Sequence, residues 1–255
     1  MKVYSWNNKK QILLSTIVLL VIWEILAIKT NKDIYLPRIE DVILSMVNII
    51  KEPNFFKNSL SSLYRTLISF SSALILSIVL GVLSYMYPFF KNLLKPFNAI
   101  GKTIPTMILI LLALIWFNKD KAPFIVGFAI VFPILYEGIY NALEDIDKKI
   151  LDMCKVYKVS KKEKIKRIYI PVIKFYVMSI LISTFSLAFK VVIAGEVHGQ
   201  PKYGIGTSVQ IEKINFNTVG IFAWIVIIAL ISILFEYINK KLLKKVYRWK
   251  NENSN

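Results

Sequence analysis

Apolar positions along this chain fall into long unbroken runs, separated by short joints that are rich in lysine or carry a proline. The first run covers residues 12–28, and later ones cover about 67–86, 97–117, 123–140, 172–193 and 219–238. Each approaches the roughly 20 residues that a helix needs to cross the hydrocarbon of a bilayer. The pattern predicts an all-α integral membrane protein, a helical bundle of about six transmembrane helices. Residues 31–58 read differently. Tyr35-Leu36-Pro37 is an extended turn, and Val42, Leu44, Val47, Ile49 and Ile50, mixed with polar neighbours, predict a short amphipathic helix on the membrane surface that Pro53 stops. Prolines also fall inside the third and fourth runs, at Pro105 and Pro133. Each is either a simple kink or a hinge whose freed backbone groups are satisfied by a neighbour or a polar cavity. Residues 196–217 read as a polar loop.

Charge orients the bundle. The chain has 255 residues, 56% of them hydrophobic, with 33 Lys and Arg against 16 Asp and Glu and a formal net charge of +17. A basic balance of that size can signal nucleic acid, but here the lysines collect between and after the apolar runs instead of forming one basic face, which excludes a nucleic-acid partner. They are densest in residues 141–171 and again from Lys240 to Lys250. The positive-inside rule puts both regions in the cytoplasm, and six spans put the N-terminus there too. Lys29, Lys32, Arg38, Lys51 and Lys57 weigh against this, offset by Asp33, Glu40, Asp41 and Glu52. The predicted layout is a cytoplasmic N-terminus at 1–11, a membrane domain at 12–240 and a basic cytoplasmic tail at 241–255. No small-residue cleavage site follows the first run, so it reads as a retained membrane helix and not as a signal peptide. Glu24, in its outer part, either snorkels outward or meets a neighbouring helix.

Catalytic and cofactor motifs are missing. Cys154 and His198 are the single cysteine and histidine, so neither a disulfide framework nor a metal site is expected. Gly101-Lys102-Thr103 looks like the end of a phosphate-binding loop but has Pro96 where the first glycine belongs. No Gly-x-Ser-x-Gly, His-Glu-x-x-His or Gly-x-Gly-x-x-Gly occurs. The chain is therefore predicted to be non-catalytic and without a cofactor, and any energy for transport must come from another subunit or from an ion gradient.

The basic loop has internal order. Asp147 can cap a helix whose apolar stripe is Ile150, Met153, Cys154 and Tyr157. Ser160 with Glu163 forms a capping box that starts a second helix, and Pro171 suits the first turn of the span that follows. The loop is thus two helices joined by a tight turn at about Lys158-Val159. The apolar stripe either docks in a partner's groove or packs on the chain's own helix ends.

At these positions the sequence resembles ABC importer permeases of the binding-protein-dependent type, with the type I fold. Their cytoplasmic loop carries Glu-Ala-Ala, a Gly after three residues, and Ile-x-Leu-Pro after nine more. Asp152-Met153-Cys154, Lys158 and Ile168-Tyr169-Ile170-Pro171 keep that spacing, although only Ile168 and Pro171 keep the identities. Ser59-Leu60 with Arg65, Lys95-Pro96, Ile104-Pro105-Thr106, Leu114-Ile115-Trp116-Phe117, Phe132-Pro133-Ile134, Ala194-Gly195-Glu196 and Tyr203-Gly204-Ile205-Gly206 extend the likeness, which is nearest to the nitrate/sulfonate/taurine branch. The resemblance implies a permease subunit for a small solute that pairs with a second copy, two ATP-binding cassette subunits and an extracellular solute-binding protein in the plasma membrane. It implies that ATP is hydrolysed in a partner subunit, and that Ile150, Asp152, Met153, Cys154, Tyr157 and Lys158 form the contact with it. Lys158 stands where a left-handed glycine is usual, a conformation that costs a lysine roughly 1 kcal/mol. Lys190 and Glu196 are candidates for the translocation pathway. Lys190 either attracts an anionic solute or pairs with Glu24 or Glu196. An ion-gradient-driven secondary transporter is the alternative, but it would need carboxylates near mid-span, and Glu24 is the one candidate.

Overall fold

The computed structural model describes residues 5–246, so the ends of the predicted 1–11 and 241–255 segments lie outside the described residues. All regular structure among the described residues is helical: α1 (Ser5–Thr30), α2 (Ile39–Lys51), α3 (Phe55–Met86), α4 (Pro88–Thr103), α5 (Thr106–Trp116), α6 (Ala122–Glu144), α7 (Lys148–Val156), α8 (Lys161–Lys164), a π-helical turn (Ile165–Tyr169), α9 (Ile170–Gly199), α10 (Ile205–Ile214) and α11 (Thr218–Val246). Five stretches are long and apolar enough to cross a membrane, and α4 with α5, bent by 107° at the break between them, makes a sixth if the pair is counted as one span. Large apolar side chains such as Leu13, Leu19, Leu60, Ile75 and Ile115 stand more than 60% exposed. Water would not tolerate so much apolar surface, whereas lipid does.

Two compact units divide the chain. One contains α1, α2 and Ser208–Leu230. Within it, the Trp23 indole donates to Pro37 O at 2.9 Å, and the Glu24 carboxylate accepts from the backbone N–H of Ile39 at 3.0 Å. Glu24 therefore meets a neighbouring helix, filling an orphan donor in the first turn of α2. Trp23 packs edge-on against Phe222, and Thr218 donates to Ile34 O at 3.0 Å. The amphipathic helix predicted around 42–50 is α2, whose Val42 and Ile49 are buried.

The other unit, Lys57–Thr207 with the chain from Ile231 onward, is built on α3, α6 and α9. Ser62, Thr66, Ser69, Ala73, Ser77, Gly81 and Ser84 form a buried stripe of small residues down α3. Small side chains let helix backbones approach, and close packing holds helices together in a bilayer, where lipid is as apolar as leucine. Ser69 Oγ donates to Phe124 O at 3.2 Å and Ser77 Oγ to Phe132 O at 3.1 Å. Both pairs lie 55 residues apart, so α3 and α6 run parallel. Gly127 packs beside Val192 and Gly138 beside Tyr176, so α6 and α9 run antiparallel. Phe70, Ala73, Val131, Leu135 and Ala188 form the middle of this core.

Parallel α3 and α6 require the chain between them to return across the bilayer. From the level of Leu67 to Met86, α3 rises about 28 Å, close to the thickness of the hydrocarbon. The return is made by α4 and α5, two helices with a full break between them, where a run over 97–117 kinked or hinged at Pro105 was expected. Lys91 pairs with Glu144 at 3.4 Å and Asn98 donates to Glu137 at 3.2 Å, so α4 climbs antiparallel to α6. It reaches Pro133 at Gly101. The helix then breaks at Ile104-Pro105, because proline disfavours helical geometry in the residue before it and cannot donate to the preceding turn. Pro133 behaves differently, and α6 runs on through it. One further expectation is corrected. The polar loop over 196–217 contains the end of α9 and all of α10. The last helix, α11, runs to Val246.

Gly127 is a tight helix contact in this core. A Cβ there would strike Ser69 Oγ and lie 2.9 Å from Val192 Cγ2. Gly127→Ala is expected to break the Ser69 bond to Phe124 O and destabilise the protein by about 1–3 kcal/mol, measured as a lowered unfolding midpoint in detergent.

Candidate functional site

Three of the short motifs quoted above converge at one end of the second unit. Glu196, near the C-terminus of α9, is 0% exposed. Its Oε1 accepts from Arg65 Nη1 at 2.8 Å, and its Oε2 accepts from Ser62 Oγ at 2.6 Å and from the backbone N–H of Gly206 at 3.1 Å. Ser62 Oγ also accepts from the N–H of Ile205 at 2.8 Å, and Arg65 Nη1 donates to Tyr203 O at 2.7 Å. Gly204 N–H reaches Asn58 Oδ1 at 3.3 Å. Together these bonds tie the 203–206 segment to both α3 and α9. Gly206 has no room for a side chain, since a Cβ there would lie 2.6 Å from Glu196 Cβ and 2.7 Å from Val197 N. Gln200, at φ 47, ends α9 with an N–H bond to Glu196 O of 2.8 Å, turning the chain back toward α3.

Glu196, expected to line the pathway, has its carboxylate buried and hydrogen-bonded within the unit. It does not pair with Lys190 either, and Glu24 is taken by Ile39. Lys190 is exposed on α9 and makes no ion pair among the described residues. Arg65 and Ser62 were not singled out as site residues. Arg65 carried a signal as a lone cation leading into an apolar run, and Ser62 carried none.

The basic loop folds as predicted. Asp147 Oδ1 accepts from the N–H of Lys149 at 2.9 Å, and Ser160 Oγ from the N–H of Glu163 at 3.2 Å. Lys158 is left-handed at φ 49. The Val159 N–H bonds to Cys154 O at 2.9 Å and the Lys158 N–H to Lys155 O at 3.1 Å, the paired bonds of a Schellman ending. Lysine thus takes the conformation that glycine usually supplies. The second helix passes through the π-helical turn straight into α9, giving a continuous helix from Lys161 to Gly199. Ile170 N–H bonds to Ile165 O. Widening the turn ahead of Pro171 is the expected response to a proline ring that would crowd the carbonyl four residues before it.

The faces of α7 divide differently from the predicted stripe. Cys154 is 6% exposed and Leu151 packs with Ile139, Leu143, Ile146 and Ile173, so these two residues seat α7 on its own chain. Ile150, Met153 and Tyr157 are exposed and share that outer surface with Val156, which is 77% exposed and was missed because it lies off the inward repeat. Asp152 accepts from Lys155 Nζ at 2.8 Å, and that hydrogen bond holds its carboxyl below the usual range.

With this geometry in hand, comparison with known proteins is decisive about family. Residues 73–248 match the family described as binding-protein-dependent transport system inner membrane component. The chain belongs to that family. SsuC of Bacillus subtilis strain 168, named for aliphatic sulfonates transport, is 22% identical over 253 residues, covering 98% of this permease and 90% of the relative. The formylaminopyrimidine transport permease ThiX of Halalkalibacterium halodurans is 24% identical, with 92% and 94% covered. The nitrate import permease NrtB of Synechocystis sp. is 26% identical, with 71% and 68% covered. A solved inward-facing MetNI methionine ABC transporter shares the fold, with a TM-score of 0.62 at 15% identity over 74% of this chain and 94% of that one.

Two outcomes test the permease's site geometry. Arg65→Met strands a buried carboxylate and is expected to cost about 3–5 kcal/mol. Adding Glu196→Gln should return part of that loss, because a neutral amide needs no cation, and a double-mutant cycle by denaturation in detergent reads the coupling. Lys158→Gly removes the left-handed penalty of about 1 kcal/mol. Hydrogen exchange at the Val159 amide should slow by about five-fold, with uptake unchanged.

Proposed function

We propose that this permease is the membrane-spanning subunit of an ATP-driven importer, forming the pathway for a small polar solute and working with two ATP-binding subunits, a second permease copy and an external solute-binding protein. The family membership supports the class. The observation that carries the mechanism is the outer face of α7: Ile150, Met153, Val156 and Tyr157 stand exposed on a helix whose other face is fastened to the bundle. An apolar ridge at the end of a rigid lever needs a groove in a partner. Its seat is firm, because Cys154 and Leu151 anchor the helix and the Schellman ending holds Lys158 in place. When the ATPase pair closes on ATP, two such levers in a two-fold assembly are drawn together, and the permease halves rock between inward-facing and outward-facing states.

The lysines of the 141–171 loop support a cytoplasmic side for that loop, and an even number of crossings would bring both ends of the chain to the same side. Lys190 remains the pathway candidate. It shares one face of α9 with the exposed Ser179 and Ser183, and a cation with hydroxyls on a spanning helix belongs on a water-filled path or against another copy, not in lipid. The names of the relatives point to small polar solutes, sulfonate and nitrate among them.

The test is reconstitution with the ATPase and binding-protein partners. Met153→Asp and Val156→Asp, both at exposed positions, should leave the permease's unfolding midpoint intact and lower solute-stimulated ATP hydrolysis about ten-fold or more. Vesicles should import with ATP and be indifferent to a collapsed proton gradient. Normal stimulated hydrolysis in both variants would refute docking through α7, and gradient-driven uptake without ATP would favour a secondary transporter.

A further inference from the structure

A cleft of about 420 Å³ lies between α4 and the C-terminal half of α6. Its α4 wall is a polar face, Lys91, Lys95, Asn98 and Lys102, spaced so that all four side chains fall on one side of the helix. The α6 wall includes Glu137 and Tyr140. The arrangement is unusual for a helix pair that crosses a bilayer. The apolar residues Phe89, Leu93, Phe97 and Ile100 are exposed on the outer side, while Lys91 and Lys102 reach carboxylates of α6 and Lys95 stands exposed on the cleft wall.

Charge pairing inside the cleft is incomplete. Lys91 meets Glu144 at 3.4 Å and sits 4.8 Å from the centre of the Tyr140 ring, while Lys102 pairs with Glu137. Lys95 lines the same cleft with no carboxylate at ion-pair distance among the described residues. One positive charge is left over. A second group is unfilled as well. Asn98 Nδ2 donates to Glu137 Oε2 at 3.2 Å, which fixes the orientation of the amide, and the buried Oδ1 is left without a donor. The buried acceptor is costly when unmet, and the exposed spare cation beside it offers a counter-charge, so the two together suit a ligand that carries both an acid group and a donor.

We infer that this cleft binds the head of a small organic monoanion, with the acid group on Lys95 and an adjacent hydroxyl or amino donor on Asn98 Oδ1. The space suits a compact polar head. Two sources share this chemistry: a transported solute, or a phospholipid whose phosphodiester is followed by a hydroxylated head. The solute source deepens the importer reading and rests on it. Binding to the isolated permease needs no ATPase partner, so this inference and that reading fail in different experiments.

The full chain is placed in nanodiscs of phosphatidylcholine and titrated with 2-hydroxyethanesulfonate and with ethanesulfonate, which lacks the donor, using saturation-transfer NMR. The expected result is binding of the hydroxylated probe at least about ten-fold tighter than of ethanesulfonate. Lys95→Gln should weaken it by a similar factor, Lys95→Arg should keep it, and Asn98→Val should erase the preference between the two probes. A second arm uses nanodiscs containing phosphatidylglycerol and counts retained lipid by native mass spectrometry. Lipid retained by the wild type, lost in Lys95→Gln and not displaced by sulfonate assigns the cleft to a headgroup. Sulfonate binding in phosphatidylcholine alone assigns it to a solute. Lack of both signals, or equal signals in Lys95→Gln and wild type with unchanged unfolding midpoints, overturns the inference.

Discussion

A carboxylate sealed inside a membrane protein persists only if its charge is met and its lone pairs are filled, and Glu196 meets both conditions through Arg65, Ser62 and Gly206. Much of the second unit follows from that requirement. Arg65 must lie on α3, one turn from Ser62. The 203–206 segment must fold back so that its N–H groups aim inward, and the left-handed Gln200 makes that return possible. Glycine at 206 is then the residue that fits, because the backbone passes against α9 where a side chain would stand. The ends of α3 and α9 are thereby fastened by bonds that need the tertiary fold to exist at all.

Away from the clamp, the bundle depends on closeness more than on polarity. The small residues of α3 bring it within hydrogen-bond reach of the α6 backbone at Ser69 and Ser77. Bonds of this kind are each worth only about 0.6 kcal/mol in a bilayer, so the packing around them supplies most of the cohesion. The parallel course of α3 and α6 forces the bent α4–α5 crossing between them, and the break at Pro105 supplies the turn. The polar face of α4 then comes to lie along Glu137 and Glu144 of α6.

The loop between α6 and α9 is built from ordinary capping chemistry. Asp147 and Ser160 start its helices, the left-handed Lys158 turns the chain between them, and the second helix continues through a π-helical turn into α9. No break separates that second helix from the spanning helix, so the loop runs directly into the bundle. Lysine at the turn is tolerated because a penalty of roughly 1 kcal/mol is small beside the bonds that the Schellman ending makes.

The membrane class, the number of crossings, the amphipathic α2, the helix caps of the loop and the turn at Lys158 were all legible in the sequence, because each depends on local periodicity, hydropathy length or the chemistry of a few adjacent residues. The partners of Glu196 and Glu24 were not, since they lie 131 or more residues away along the chain for Arg65 and Ser62 and 15 for Ile39, and a pattern of hydropathy holds no information about which polar groups meet. Pro105 and Pro133 looked alike in sequence, yet one breaks its helix and the other does not, because the outcome depends on what packs around each freed carbonyl. The inward turn of Cys154 and the outward stand of Val156 follow the same logic. Periodicity defines an apolar face on α7, but only docking of that helix on Leu143, Ile146 and Ile173 decides which part of the face is spent inside the chain and which stays exposed.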